Sequence, residues 1–131
     1  MTSDARDPAS IAFAELDPGQ DFATQVGLDG GPCTLLDILV VPPGAQDEVI
    51  EHWRLHAEYM MTRPGCIGAQ MHRALGDGRT LVNLAVWESP SALLAAVTAP
   101  EFAAIASDYP PGTYCTRQLL SKEAVEGICV A

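Results

Sequence analysis

The sequence has few basic residues, no long apolar segment and no closely spaced cysteines. Seven lysines and arginines stand against 17 aspartates and glutamates, so the net charge is −10 and the pI is about 4.4. Nucleic acids and anionic membranes are bound through basic patches, and this charge therefore argues against both as partners. No run of about 18 apolar residues occurs, so no transmembrane helix is expected.

The amino terminus and the cysteines favour a cytoplasmic location. The first residues are acidic and polar, without the basic region and apolar stretch that are typical of a secretion signal. Cys33, Cys66, Cys115 and Cys129 show no C-x-x-C spacing. In a reducing compartment such cysteines are expected to be free thiols, and neither a disulfide framework nor a zinc site is predicted.

The length of 131 residues indicates one domain with a modest core. Residues 1–32 are rich in Asp, Gly, Pro and Ser, with one apolar patch at residues 11–14. We interpret them as an N-terminal extension that packs a short element onto the body. Residues 33–120 form the predicted domain, and residues 121–131 are a C-terminal tail without an assigned structure.

The pattern of the domain predicts an alternation of strands and helices. Apolar and β-branched runs that stop at proline or glycine predict strands at residues 35–41, 66–75, 80–87 and 113–120. Helical periodicity predicts helices at residues 45–62, 89–97 and 100–107. With the last two helices counted as one helical region, the order is β-α-β-β-α-β. This order predicts an α+β, ferredoxin-like fold with a four-stranded antiparallel sheet.

The third predicted strand carries an amide and an indole on one face. Alternation places Asn83, Ala85 and Trp87 on that face. A buried amide and a buried indole each need a hydrogen-bond partner, and a ligand can supply one. The strand therefore suggests a pocket.

The Asp-Gly pair at residues 77–78 predicts a hairpin between the second and third strands. A turn of two or four residues centred on this pair places three pairs on the pocket face: His72 with Asn83, Gln70 with Ala85, and Gly68 with Trp87. A loop of three residues would shift this register by one position and break the grouping.

The other face of the predicted sheet is apolar. Its predicted residues are Ile67, Ala69, Met71, Val82, Leu84 and Val86, with Leu36, Ile38 and Val40 beside them. If the helices cover the mixed face, this apolar face is left open, and an exposed apolar patch of that size indicates association. We therefore expect a two-fold homodimer, sheet against sheet, with a pocket between sheet and helices in each subunit.

Several short motifs resemble the antibiotic biosynthesis monooxygenase family over about residues 34–120. The motifs are Val41-Pro42-Pro43-Gly44, Trp53 in the first helix, Arg63-Pro64-Gly65-Cys66-Ile67-Gly68, Met71-His72-Arg73-Ala74-Leu75 before the turn, Trp87-Glu88-Ser89, and Pro100-Glu101-Phe102. The resemblance implies a dimeric α+β barrel. Family members that act on aromatic polyketides oxidise anthrones to quinones without a cofactor, and molecular oxygen is then the co-substrate.

The resemblance also implies particular site residues. The asparagine and tryptophan of the polyketide-acting members, four apart on the third strand, are matched by Asn83 and Trp87. A tyrosine and an arginine of other members correspond to Leu93 and about Ser107, so those two groups are absent. Haem-degrading relatives have an asparagine where this chain has Asp37. They place an iron-binding histidine near the position of Ala106, which argues against haem.

We predict Asp37, His72, Asn83 and Trp87 as catalytic residues. Asp37 lies among apolar strand residues, where it is either paired or a general base with a pKa raised by burial. His72 is suited to move a proton near neutral pH, although a strand histidine is often a half-exposed surface residue. Asn83 is the expected oxyanion donor. Trp87 is the expected stacking wall with an N–H donor, unless it belongs only to the core.

Further residues are expected to contact the substrate: Trp53, His56, Gln70, Leu93 and Phe102. Tyr59 and Arg117 also lie within reach of such a pocket. His52 and His56 have the spacing of metal ligands on a helix, but no third ligand is evident, and no metal is predicted.

The predicted function is the cofactor-independent oxidation of a polycyclic phenol or anthrone to a quinone, with a small aromatic substrate as partner. An aromatic polyketide cyclase would use the same base and donor without consuming oxygen. A non-catalytic ligand-binding dimer is the third hypothesis, because one fold supports many functions.

Overall fold

The computed structural model describes residues 11–106 and 108–131. In chain order its elements are β1 (Ala12–Glu15), α1 (Phe22–Val26), β2 (Cys33–Val40), α2 (Gln46–Met61), β3 (Cys66–Arg73), β4 (Thr80–Trp87), α3 (Pro90–Val97), α4 (Pro100–Ala106) and β5 (Tyr114–Leu120). Ser107 and the side chain of Ala106, which the family comparison singled out, lie outside this description. Within the described residues, no helix is both long enough and apolar enough to cross a bilayer.

The sheet confirms the predicted ferredoxin-like α+β fold and has one strand more than expected. Strands β5-β2-β4-β3 are neighbours in that order and pair antiparallel. The additional strand, β1, pairs parallel to β5, with Glu15 opposite Arg117. In a strand of only four residues, the alternation of apolar and polar residues is too short to distinguish the strand from a loop by sequence. Part of the N-terminal extension therefore belongs to the sheet.

The helices pack on the face of the sheet that carries Asp37, Asn83 and Trp87, because residues of α2, α3 and α4 enclose a cavity with them. Helix α3 begins as the sequence predicts. The Ser89 hydroxyl accepts a hydrogen bond from the backbone N–H of Ala92 at 3.1 Å, and Pro90 occupies the first turn. The helices and the sheet thus form two layers with the core between them.

The hairpin between β3 and β4 has a different register from the predicted one, which was wrong by one residue. The N–H of Ala74 donates to the Thr80 carbonyl at 2.9 Å, so the loop contains five residues, 75–79. An odd loop length shifts the pairing, and Met71 instead of His72 lies opposite Asn83. A bulge between Cys66 and Gly68 shifts the register once more near Trp87.

This register exchanges the faces of β3. His72 and Gln70 are exposed and belong to the outer face, where His72 lies opposite Val82. The side chains of Ala69 and Met71 face the helices instead, whereas the sequence pattern placed them on the outer face. The predicted grouping of His72 and Gln70 with Asn83 is therefore corrected.

The outer face of the sheet is largely apolar, as predicted for β2 and β4. Its central residues, all half-buried, are Leu36, Ile38, Val82, Leu84 and Val86.

The tail at residues 121–131 contains an isolated bridge between Val125 and Cys129, and its Ile128 and Val130 are more than 80% exposed.

Candidate functional site

A mainly apolar cavity of about 60 Å³ lies between the sheet and the helices. The sheet contributes Leu35, Asp37, Asn83, Ala85 and Trp87, and the helices contribute Trp53, His56, Met60, Leu93 and Phe102. The exposed members of the lining are Met61 at the end of α2 and Ala69 on β3, and they mark the opening of the cavity. A mainly apolar pocket with a few polar groups is typical of a small-molecule site.

A row of polar side chains crosses the floor of the cavity on three adjacent strands. Asp37 on β2 lies opposite Asn83 on β4 and, on its other side, opposite Arg117 on β5. The Asn83 amide nitrogen donates to Asp37 Oδ2 at 3.0 Å. The Cys115 thiol lies 3.8 Å from Asp37 Oδ1. Because directly opposed residues on neighbouring strands share a face, the backbone ladder itself brings these groups together.

The Asp37 carboxyl group is poised to exchange a proton near neutral pH. Burial raises its pKa from 3.8 to about 6, although the hydrogen bond from Asn83, the charge of Arg117 and the Cys115 thiol each favour the ionised form. Desolvation therefore exceeds the combined effect of these three groups. At pH 7 the carboxylate is mostly ionised but is a stronger base than an exposed aspartate, which suits general base catalysis.

A second pair of polar residues lies on the helical side of the cavity. His56 Nδ1 is 3.3 Å from the hydroxyl oxygen of Tyr109, and both side chains line the cavity. Burial lowers the pKa of His56 to about 4, so its imidazole is neutral. Burial and the nearby Asp37 raise the pKa of Tyr109, whose hydroxyl stays protonated. When that hydroxyl donates to Nδ1, the imidazole proton resides on Nε2.

Among the described residues, four buried polar atoms have no hydrogen-bond partner, and all belong to cavity-lining residues: His56 Nε2, Asn83 Oδ1, Trp87 Nε1 and Arg117 Nε. Buried polar groups are nearly always paired, so a group of unpaired ones calls for an explanation such as a catalytic role or a bound partner. These four atoms include both donors and an acceptor. A bound molecule with oxygen atoms on more than one edge would satisfy them.

The structure brings seven of the nine predicted site residues to this cavity: Asp37, Trp53, His56, Asn83, Trp87, Leu93 and Phe102. His72 and Gln70 lie on the outer face for the reason given above. Tyr59, considered only as a residue within reach, donates to the Ala96 carbonyl at 3.2 Å and is absent from the described lining.

Sequence reasoning missed Tyr109 and the two phenylalanines Phe13 and Phe22, which all line the cavity. Tyr109 follows α4 in a proline-rich loop, and Phe13 and Phe22 belong to the N-terminal extension. The one available signal was the apolar patch at residues 11–14, which contains Phe13. Cys115, expected to be a free thiol, is buried beside Asp37.

His52 and His56, whose spacing on the helix is that of metal ligands, pack against aromatic rings. The His52 ring centroid lies 5.6 Å from that of Tyr109, and the His56 centroid lies 4.9 Å from that of Phe102. Across residues 11–106 and 108–131, no group of three His, Cys, Asp or Glu side chains is arranged to bind a metal.

Fold and site together define a class of protein: ferredoxin-like domains with a cavity between one face of the sheet and its helices. The model of the antibiotic biosynthesis monooxygenase family matches residues 39–108. The chain belongs to this family, as the sequence motifs predicted.

Solved structures of the same fold are similar to this chain at low sequence identity. SnoaB, a cofactor-independent oxygenase from Streptomyces nogalater, is 20% identical with a TM-score of 0.68, over 75% of this chain and 99% of its own. A provisionally assigned monooxygenase from Shewanella loihica is 24% identical with a TM-score of 0.62, over 76% of this chain and 100% of its own. A search of curated proteins gives no match.

Proposed function

We propose that this protein is a cofactor-independent oxygenase that converts a polycyclic phenol of the anthrone type into a quinone. The observation that carries the proposal is the Asp37 carboxylate, desolvated inside an apolar cavity and fixed by Asn83 beside unpaired donors. Membership of the monooxygenase family and the fold shared with a cofactor-independent oxygenase support it.

The proposed chemistry balances with the substrate as the only reductant. Asp37 removes a proton from the activated CH₂ group, and the carbanion gives one electron to O₂. The resulting radical and superoxide combine, and the peroxide oxygen takes the proton from Asp37. The carboxylate then removes the second C–H proton, the carbonyl forms and the O–O bond breaks, and the departing hydroxide takes that proton from Asp37 and leaves as water. In sum, CH₂ and O₂ become C=O and H₂O, and the protein supplies a base, donors and a dry wall.

The structure favours specific roles for the residues around the substrate. Asp37 is the base, because His72 lies on the opposite face of the sheet. Asn83 uses its amide hydrogen to orient Asp37, which differs from the predicted role as oxyanion donor. The unpaired N–H of Trp87, together with Nε2 of His56, is placed to donate to the developing oxyanion.

Entry of a polycyclic substrate requires the cavity to open. Its volume of about 60 Å³ is well below the ~150 Å³ that accommodates benzene in a protein core. Met60 and Met61 both line it, and Met61, at its opening, is 53% exposed. Unbranched methionine side chains can change rotamer at low cost, so we propose that these two residues move aside on binding.

The test is oxygen consumption with 1,8-dihydroxy-9-anthrone, followed together with the absorbance of the anthraquinone product. We expect uptake of one O₂ per quinone, well above the spontaneous rate. Asp37→Asn should reduce the enzymatic rate at least about 100-fold, because general base catalysis contributes 10²–10⁴-fold. His72→Ala is the matched control and should retain the wild-type rate.

Two outcomes would refute this proposal and identify a different function. Turnover of a polyketide-like substrate to a cyclised product without oxygen consumption would identify a cyclase that uses the same base. Tight binding of anthrones and quinones with no turnover of either kind would identify a ligand-binding protein.

We also propose a homodimer through the outer face of the sheet, since Leu84 and its half-buried apolar neighbours form an apolar face that a second copy would cover. Sedimentation analysis should give a dimer for the wild type and a monomer for Leu84→Glu. Leu55→Glu, at an exposed position of α2, is the control and should remain dimeric. A monomeric wild type would refute this part of the proposal.

A further inference from the structure

We infer that Arg117 is the anion-binding residue of the cavity and that the N-terminal segment, residues 11–26, positions it. The inference rests on the proposed function in one respect, namely that the bound anion is the deprotonated substrate. Its evidence is separate, because it comes from β5 and from elements that precede the family-matched region at residues 39–108.

The Arg117 guanidinium is clamped between two aromatic rings. Its Cζ atom lies 4.1 Å from the ring centroid of Phe13 on β1 and 3.9 Å from that of Phe22 on α1. A cation over an aromatic face is stabilised by the ring quadrupole, most strongly when both are desolvated. The rings contact the guanidinium closely, but they offer no conventional hydrogen-bond acceptor. Nε of Arg117 is accordingly buried without a partner.

The clamp is tied to the strand that carries Arg117. Gln25 of α1 is buried and accepts a hydrogen bond from the backbone N–H of Leu119 on β5 at 2.7 Å. Glu15 accepts a hydrogen bond from the backbone N–H of Phe22 at 2.9 Å, which joins β1 to α1. The position of the aromatic rings is therefore fixed relative to β5.

Two carboxylates and three uncharged titratable groups lie around Arg117. Asp37 and Glu15 lie opposite it on the two flanking strands. Burial raises the pKa of Cys115 and lowers that of His56, so both are neutral near pH 7, as is the Tyr109 phenol. Arginine remains protonated even when burial lowers its pKa, as it does here.

Arg117 is thus the permanent cation among the described residues that line the cavity. When Asp37 takes a proton from the substrate, the negative charge passes from the carboxylate to the substrate oxygen. The counterion of Arg117 is then the substrate oxygen instead of the Asp37 carboxylate. Because the number of buried charges stays the same, the proton transfer leaves no additional unpaired charge in the cavity.

The experiment measures the pKa of a bound phenol directly. Alizarin (1,2-dihydroxyanthraquinone) absorbs at different wavelengths as phenol and phenolate, so its titration between pH 5 and 9 is followed by absorbance in excess protein. We expect the wild type to lower the titration midpoint of alizarin by at least one pH unit, a tenfold preference for phenolate. Arg117→Met should reverse this shift, and Arg117→Lys should restore part of it.

Further variants separate positioning from charge. Phe13→Leu and Phe22→Leu keep apolar volume but remove the ring faces, and each should weaken phenolate binding about threefold. Arg73→Met is the matched control, because it removes one positive charge from an exposed salt bridge with Asp47. Circular dichroism of each variant checks that the fold is retained.

The inference is overturned if wild-type protein binds no alizarin, or if Arg117→Met leaves the midpoint within 0.3 pH unit of the wild type, on the order of a twofold effect. An equal shift in Arg73→Met would overturn it as well. Failure of the proposed function is distinguishable: a shifted alizarin midpoint without oxygen consumption refutes the oxygenase and leaves the anion site in place.

Discussion

Replacing Asp37 by Asn should stabilise the protein at neutral pH while it removes the proposed base. The folded protein raises the pKa of Asp37 from 3.8 to about 6, so ionisation opposes folding. At 1.36 kcal/mol per pKa unit, the wild type loses about 3 kcal/mol between pH 4 and pH 6 and stays at that lower level above it. The stability contributed by the protonated group is fully present below pH 3.8. Asparagine resembles the protonated aspartate in shape and cannot ionise, so the variant avoids this loss.

Thermal denaturation at several pH values measures the effect, with the protomer concentration held fixed. For a domain of this length, about 3 kcal/mol corresponds to a Tm increase on the order of 10 °C. We expect that increase for Asp37→Asn at pH 8 and less than about 2 °C at pH 4, where the wild-type carboxyl group is protonated. The control is Asp47→Asn, at a side chain that is 90% exposed, which should change Tm by less than about 2 °C at both pH values.

The result that refutes the reasoning is an Asp37→Asn variant with an equal or lower Tm than the wild type at pH 8. A stabilisation that is the same at pH 4 and pH 8 would also refute it, because it would not arise from ionisation.

Three further predictions concern activity and one concerns binding. Oxygen consumption by the wild type should rise about tenfold per pH unit below pH 6 and level off above it, as Asp37 ionises; a profile flat from pH 4.5 to 8 would exclude this base. Asn83→Ala should lower kcat about 100-fold with a small change in KM, because the carboxylate loses its orienting bond, and steady-state kinetics measures both. Trp87→Phe should weaken quinone binding about three- to tenfold in calorimetric titration, since one neutral hydrogen bond is lost. His72→Ala should leave kcat/KM within about twofold of the wild type, and a larger loss would contradict its placement on the outer face.

The fold could be predicted because several local signals agree. The Ser89-Pro90 start of α3 and the proline and glycine stops between elements fix the boundaries of most elements to within two residues or so. The order of elements then leaves few topologies, of which the ferredoxin-like one is common. The additional strand, β1 (Ala12–Glu15), could not be predicted. It contains only four residues, and its partner strand β5 is far away in the sequence.

The site was predictable where side chains project from central strands. Alternation placed Asn83 and Trp87 on one face and the family resemblance matched the same two residues, whereas Asp37 was singled out as a carboxylate among apolar strand neighbours. His72 was misplaced because the assignment depended on loop length, and a difference of one residue reverses every side chain of an edge strand.

Tyr109 and the clamp formed by Phe13 and Phe22 could not be predicted, for a different reason. Each reaches the cavity from a loop or a short element whose position is set by tertiary contacts. The hydrogen bond between Gln25 and the backbone of Leu119 spans 94 residues. No periodicity within either segment encodes such a contact.

The lateral row formed by Asn83, Asp37 and Arg117 has an evolutionary consequence. Each of the three is attached to a different strand, and the hydrogen-bonded ladder between those strands is made by main-chain atoms whichever side chains are present. A single codon change in this row can therefore alter acid strength, polarity or charge while the architecture persists. Such an arrangement lets a lineage acquire a new reaction stepwise, and it offers protein engineers three adjacent positions for a compact mutant library.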